Sequence, residues 1–330
     1  MLLKTFEFGW PNDLPIPIWE KEQLQEIANK YNHNDPAILV NSTWYTSEAH
    51  EQVVEYIKTN SIKNVILASL VDAHIARADM YKDLGVKVFE IGYYPGQGFY
   101  DFFALCWQRF YKPIAQDILL DPATINKPFL CYNRKHHEHR LKLVDALQKN
   151  DLVDKGIVTL SGVLKLDYDV DSQDDYVEYT SGGEYTAVPD TMSLGRTDVW
   201  CSHFLNVVTE TWWDINRAHL AADKYYKPLA GLRPFLIYAE DMGVKWLTDR
   251  KFEIYHNDFT DITDLDLLDH NNLVPFLKTL SSQPQSYYQD KFKSLKDKLL
   301  YNKNRFDEYC NEQKLSVVIG EMNQRFTFDR

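Results

Sequence analysis

The densest group of reactive side chains in this sequence is Cys131-Tyr132-Asn133-Arg134-Lys135-His136-His137-Glu138-His139-Arg140, where two arginines, one lysine and three histidines fall within seven positions. An apolar run ends there and a helical pattern begins. In open α/β sheets ligands gather outside the carboxyl ends of strands. A helix N-terminus directs free backbone N–H groups at that place and favours anions. Arginine adds planar, bidentate donors suited to a diphosphate. The other reading of this segment is a solvated basic helix start paired with an acidic body.

A second group closes the apolar run Phe204 to Thr209, in Asn206-Val207-Val208-Thr209-Glu210-Thr211-Trp212-Trp213. A carboxylate at a strand end can accept bonds from ribose hydroxyls, and an aromatic can stack on a base. Glu210 reads as functional, whereas Trp212 and Trp213 read first as core or interface residues. A third group is Asp223, Lys224 and Lys227, whose helical spacing puts a carboxylate and two ammonium groups on one side of a helix. Ammonium groups beside a leaving diphosphate stabilise the charge that builds there; an ordinary surface ion-pair face is the alternative. Pro228 argues for a short helix, since an interior proline costs ~3 kcal/mol. The acidic run Asp167, Asp169, Asp171, Asp174, Asp175 and Glu178 mimics a calcium loop but has Ser172 at the glycine position. It reads as a solvated loop, so no metal site is expected.

These residues need a scaffold, and the apolar patterning supplies one. Strands are expected at Ala37–Val40, Asn64–Leu70 and Val86–Gly92, with helices at Trp19–Tyr31, Ser47–Thr59, Ala73–Leu84 and Tyr100–Leu120. Residues 1–36 otherwise read as a mixed lead-in, and Asp121–Pro128 as a linker. The pattern restarts with strands at Phe129–Tyr132, Gly156–Leu160, Phe204–Thr209, Phe235–Ala239 and Lys251–His256, and a helix over His136–Gln148. Gly231 sits where a helix after Ala221 would be capped. Lys165–Thr197 is a long polar loop or insertion, and Phe292–Tyr309 a long amphipathic helix. Strands alternating with helices mean parallel sheets. The expected fold is α/β with two domains, 1–125 and 126–330, and a helical C-terminal segment.

Bulk properties set outer limits. A chain of 330 residues with 45% hydrophobic content has material for two cores. Its net charge of -12 gives no global attraction to nucleic acid or anionic membranes, although a local basic cleft can exist. The four cysteines, Cys106, Cys131, Cys201 and Cys310, form no CxxC pair and suit a reduced compartment. The first residues are too short an apolar stretch for a signal peptide, and no apolar run approaches the ~20 residues a membrane helix needs. A cytoplasmic protein without membrane insertion is the expectation.

The motifs Ala222-Asp223-Lys224-Tyr225-Tyr226-Lys227-Pro228 and Arg233-Pro234-Phe235 resemble the nucleotide-sugar-binding half of GT-B glycosyltransferases, with two facing Rossmann-like domains. The resemblance is to fucosyltransferase-like and exostosin-like proteins, including ones from tailed phages. That family's Asn-Arg-x-x-x-x-His-Arg pattern is met by Asn133, Arg134, His139 and Arg140, and its Val-Thr-Glu-Thr by Val208, Thr209, Glu210 and Thr211. Asp223 stands where the family has Glu, and Glu240-Asp241-Met242-Gly243 where it has a small Gly-rich turn. The resemblance implies a metal-independent, inverting transferase with no cofactor beyond a nucleoside-diphosphate sugar as co-substrate. It implies donor contacts from Asp223 to ribose and Lys224 to phosphate, with Lys227 in support. The general base would come from the first domain, where Asp72 and His74 follow a strand. The acceptor would be a glycan or a hydroxymethylated base of phage DNA. The competing class is a two-lobed protein that binds a small ligand, or serves interaction, without chemistry.

Overall fold

The computed structural model describes residues 2–8, 36–42, 47–69, 81–92, 104, 107, 111, 113–133, 136–160, 194–210, 213, 223–239 and 242–312. It is an α/β protein in which the described residues form two parallel four-stranded sheets. They lie in two compact units. The first holds the described residues from Leu2 to Ala104 with Cys310 to Glu312, and the second those from Trp107 to Tyr309.

The first unit has strands β1 (Leu2–Phe8), β2 (Ala37–Ser42), β3 (Asn64–Ser69) and β4 (Lys87–Gly92), side by side in chain order. Phe6, Val40 and Leu67 stand in one row across the sheet, and Ile38 and Val65 in another. Alternate residues of a strand share a face, so both rows present one apolar surface. Helix α1 (Ser47–Thr59) meets that surface with Val53 and Ile57, four residues apart on one side of the helix. Strand β1 was not expected within the lead-in. Its partner lies about thirty-five residues on, and long-range pairing of this kind leaves no local signal. The expected helices at 19–31 and 73–84 fall wholly or mostly outside the described residues, as do Asp72 and His74.

In the second unit the strands are β5 (Lys127–Cys131), β6 (Ile157–Val158), β7 (His203–Thr209) and β8 (Phe235–Tyr238), in spatial order β6-β5-β7-β8. The order reverses at β5, because the chain steps outward to β6 and then returns to the other side of β5 for β7. β7 is buried along its whole length, with Phe204 packing on Phe259 and Tyr288.

Several expectations are corrected here. The helix over 100–120 does not run through: Tyr111 and Pro113 to Ala115 are not helical, and α2 covers only Gln116–Leu119. Pro113 lacks an N–H and disfavours helix in the residue before it. The supposed linker is an ordered entry to β5. Asp121 caps a 3-10 turn at Pro122–Thr124, Thr124 Oγ1 donates to the Cys201 carbonyl (3.0 Å), and Gln285 Nε2 donates to that of Ile125 (2.9 Å). The stretch 251–256 is not a strand. In place of a neighbouring strand, Asn302 brackets Glu253 by accepting from its N–H and donating to its carbonyl, each at 2.8 Å. The long helix breaks at Leu295 into α8 (Gln285–Ser294) and α9 (Lys296–Glu312).

The remaining helices of this unit are α3 (Glu138–Lys149), α4 (Thr197–Ser202), α5 (Tyr226–Ala230), α6 (Met242–Asp249) and α7 (Leu273–Ser281). The stretch around Asp223 is a 3-10 turn, Asp223–Tyr225, followed by the five-residue α5. Pro228 is the third residue of α5, within the first turn, where no helical N–H is needed. Gly231 closes α5 with φ -93°, and the left-handed residue is Leu232 at φ 51°. The glycine is required for another reason. Trp200 Nε1 donates to its carbonyl (2.9 Å), and a methyl at this position would stand 2.5 Å from Cε2 and Cζ2 of the indole.

Among the described residues no helix is long and apolar enough to cross a membrane. Substitution Gly231→Ala is expected to destabilise the second unit by about 1–3 kcal/mol, because the fully buried Trp200 cannot retreat without losing its hydrogen bond. Urea unfolding measures this, and an unchanged midpoint would refute the close approach.

Candidate functional site

The strand order reverses between β5 and β7, and open α/β sheets receive ligands beyond the carboxyl ends of the strands at such a point. The chain leaves β5 through Tyr132 and Asn133, and β7 through Thr209 and Glu210. Thr209 Oγ1 donates to Asn133 Oδ1 (2.8 Å), which ties the two strand ends together. The Asn133 N–H donates to Thr159 Oγ1 (3.1 Å), and its Nδ2 donates to Cys131 Sγ (3.3 Å). Asn133 is therefore held by β5, β6 and β7 at once. Burial pushes the Cys131 thiol up to about 12, so it serves as a packed neutral group.

Helix α3 begins at Glu138, and its N-cap His137 makes no side-chain cap bond. Arg140 and His139 lie in its first turn, and both are buried. Arg140 Nε and Nη2 donate to the Glu210 carbonyl (3.2 and 2.9 Å), and Nη2 also donates to that of Thr209 (3.1 Å). His139 Nε2 lies 2.7 Å from the same Glu210 carbonyl. A carbonyl only accepts, so Nε2 carries the hydrogen. Burial holds the His139 imidazole below its ordinary value, and the charges of Arg140 and Lys224 add to this. His139 and Arg140 thus join the helix start to the end of β7, using the donors that the sequence suggested for a diphosphate. Arg134 lies outside the described residues.

The Asp223–Ala230 stretch arrives at the same place. Tyr225 is buried, with its phenol beside the Glu210 carboxylate. Burial first, and then the charge and hydrogen bond of Glu210, raise that phenol well above its usual range, so it is neutral. Lys224 is half-buried and near enough for its charge to act on His139. Lys227 places its ammonium 5.9 Å from the centre of the Tyr132 ring. The backbone of Asp223 starts the 3-10 turn, and its side chain is outside the described set. Asn133, His139, Arg140, Thr209, Glu210, Lys224 and Lys227 therefore gather at one edge of one sheet. Arg233 does not belong with them. It precedes β8, at the opposite end of the sheet, where Nη1 donates to the Leu119 carbonyl (2.7 Å) and Nη2 to that of Cys201 (3.2 Å).

Aromatic rings stand at the same strand ends. Trp213 is half-buried and stacks on His139 (5.4 Å between centres, 30° between planes), with Tyr238 at 5.0 Å and His270 at 4.8 Å. The sequence offered no reason to join Tyr225, Tyr238 or His270 to the site. Thr159 carried a faint signal, a hydroxyl at the end of an apolar strand. Among the described residues no group of three or more His, Cys, Asp or Glu side chains is placed to hold a metal ion; the acidic run 167–178 lies outside them.

Replacing Arg140 by Met should remove three donors from two buried carbonyls. A loss of about 2–4 kcal/mol in unfolding free energy is expected, with Arg140→Lys recovering only part because an ammonium cannot span both carbonyls. An effect under about 0.5 kcal/mol would contradict the bracket.

A pH dependence follows from three buried histidines. His139 is depressed, burial pushes His256 down to about 4, and burial pushes His203 well below its ordinary value. Their folded pKa values lie below the unfolded value of about 6.5, so unfolding takes up protons. Stability is then complete above that value and is lost as pH falls toward the folded values. Between pH 7 and pH 5 the unfolding free energy should fall, with a slope approaching ~1.4 kcal/mol per pH unit for each histidine. The depressed carboxylates, such as Asp261 beside Lys291, act only at lower pH. Urea titrations at several pH values give the slope, and a flat or rising stability on acidification would exclude this account.

No protein-family model and no curated protein matches the chain.

Proposed function

We propose that this chain is a glycosyltransferase with the GT-B fold, moving a sugar from a nucleoside-diphosphate sugar to an acceptor hydroxyl. The observation that carries the reading is the strand-order reversal at β5 and β7, where Glu210, Tyr225, Lys224 and Lys227 meet beyond the strand ends. Such a switch point admits a nucleotide. Glu210 supplies a buried carboxylate for ribose hydroxyls, with the Tyr225 phenol beside it. The two lysines supply positive charge where a diphosphate leaves, which stabilises the charge built up in the transition state. Arg134 is assigned to the same diphosphate and Asp223 to ribose, on the resemblance alone.

The transfer is proposed as a direct, inverting displacement without a metal. The acceptor, a glycan or a hydroxymethylated base of phage DNA, is assigned to the first unit and its general base to Asp72 or His74, on the resemblance alone. The protein acts in the cytoplasm of a cell, the host's if it is viral.

The test is to incubate the full chain with a panel of nucleotide sugars and candidate acceptors and weigh the products. An acceptor heavier by one glycosyl unit, with release of a nucleoside diphosphate, is expected. Lys224→Ala should reduce kcat/KM by about 10- to 100-fold, the worth of one charge-assisted bond to phosphate. If nucleotides raise the melting temperature but no acceptor gains mass, the chain is a small-ligand-binding protein. If no nucleotide shifts melting, the reading fails.

A further inference from the structure

We infer that Trp213, with His270 and Tyr238, is the surface on which the base of a bound nucleotide stacks. The inference rests on the donor site proposed above and adds to it the group that grips the base. Its ground is the composition and position of one ring cluster. His137 comes from the cap of α3, His139 from its first turn, Trp213 from the chain after β7, Tyr238 from the end of β8, and His270 from the 3-10 turn that precedes α7. His137 stacks on His139 at 5.8 Å and 11°, His139 on Trp213 at 5.4 Å and 30°, and His270 stands edge-on to Trp213 at 87°.

A ring cluster made only to fill a core is apolar and closed to water. Three of these five rings are histidines, and Trp213, Tyr238 and His270 are all half-buried. The buried His139 backs Trp213, so the indole is fixed before any ligand arrives. A fixed, partly exposed indole holds a planar ring at low entropic cost.

Position distinguishes a base from a sugar. Lys227 lies over Tyr132 at the end of β5, Glu210 ends β7, and Tyr238 ends β8. These strands are successive neighbours in the sheet. Two strand spacings cover roughly 10 Å, about the reach of a nucleoside diphosphate from its base to its phosphates. With phosphates at the lysines and ribose at Glu210, the base falls on Trp213 and Tyr238. Every base has a π-face, so this grip tolerates different bases and leaves finer choice to hydrogen bonds at the rim.

The experiment is calorimetric titration of the full chain with UDP, GDP, ADP and pyrophosphate, for the wild type, Trp213→Ala and Trp213→Phe. The expected result is a loss of nucleotide affinity on the order of 5- to 150-fold in Trp213→Ala, pyrophosphate affinity unchanged, and most of the loss restored in Trp213→Phe. If Trp213→Ala does not fold, Trp213→Leu, which fills more of the space than alanine but has no π-face, takes its place. Nucleotide binding that ignores the substitution overturns the stacking role and leaves the donor site standing. An equal loss for pyrophosphate and nucleotides shows a structural role and also overturns it. Failure of the wild type to bind any nucleotide overturns both readings.

Discussion

The second unit depends on where one buried guanidinium finds its partners. On its β5 side strand β7 carries on past its last paired residue, Asn206, and the carbonyls of Thr209 and Glu210 are met there by side chains. A buried carbonyl left alone costs free energy, and so does a buried cation without partners. Arg140 meets both needs, since its fork reaches the two carbonyls together. His139 adds a third donor to the Glu210 carbonyl. The first turn of α3 is thereby fastened to the end of a strand that lies next to its own. Everything at the switch point is placed by this attachment, including the carboxylate that Glu210 extends toward Tyr225.

The opposite end of the same sheet is built alike. Arg233 is fully buried and donates to the carbonyls of Leu119, Leu232 and Cys201, with the Phe292 ring 4.8 Å from its guanidinium carbon. An arginine holds carbonyls at each end of the central strands. The end with Arg233 is closed by Trp200, Phe292 and the ordered entry to β5. The end with Arg140 carries half-buried lysines and half-buried aromatics, and that difference in exposure marks the end that can receive a ligand. In a chain with a net charge of -12, cations held at one sheet edge also make a local field opposite to the average one.

Periodicity carried much of the architecture. The alternation of Ile38, Val40, Val65 and Leu67 and the four-residue spacing of Val53 and Ile57 define a parallel βαβ layer from sequence, and α1 has the expected bounds, Ser47–Thr59. Pro228 likewise foretold a short helix, because its ring tolerates only the first turn. The failures share a cause. Strand β1 is recognised only by a partner far along the chain, and the extended stretch at Glu253 looks like a strand until Asn302 takes its backbone bonds. Local pattern reports which way side chains point, whereas the partner of a backbone group is a long-range matter.

The same division runs through the site. Residue types alone determined that a carboxylate closes an inner strand at Glu210, that cations cluster where β5 gives way to α3, and that Lys224 and Lys227 share a short helical stretch. They determined these things because strand ends, helix starts and side-chain charge are local properties of the chain. Tertiary structure alone decided that Arg140 spends its donors on carbonyls, that Tyr225 faces Glu210, and that Trp213 joins rings from three other places. A guanidinium binds a phosphate or a carbonyl with the same atoms, and only the folded distance to a competing acceptor selects between them.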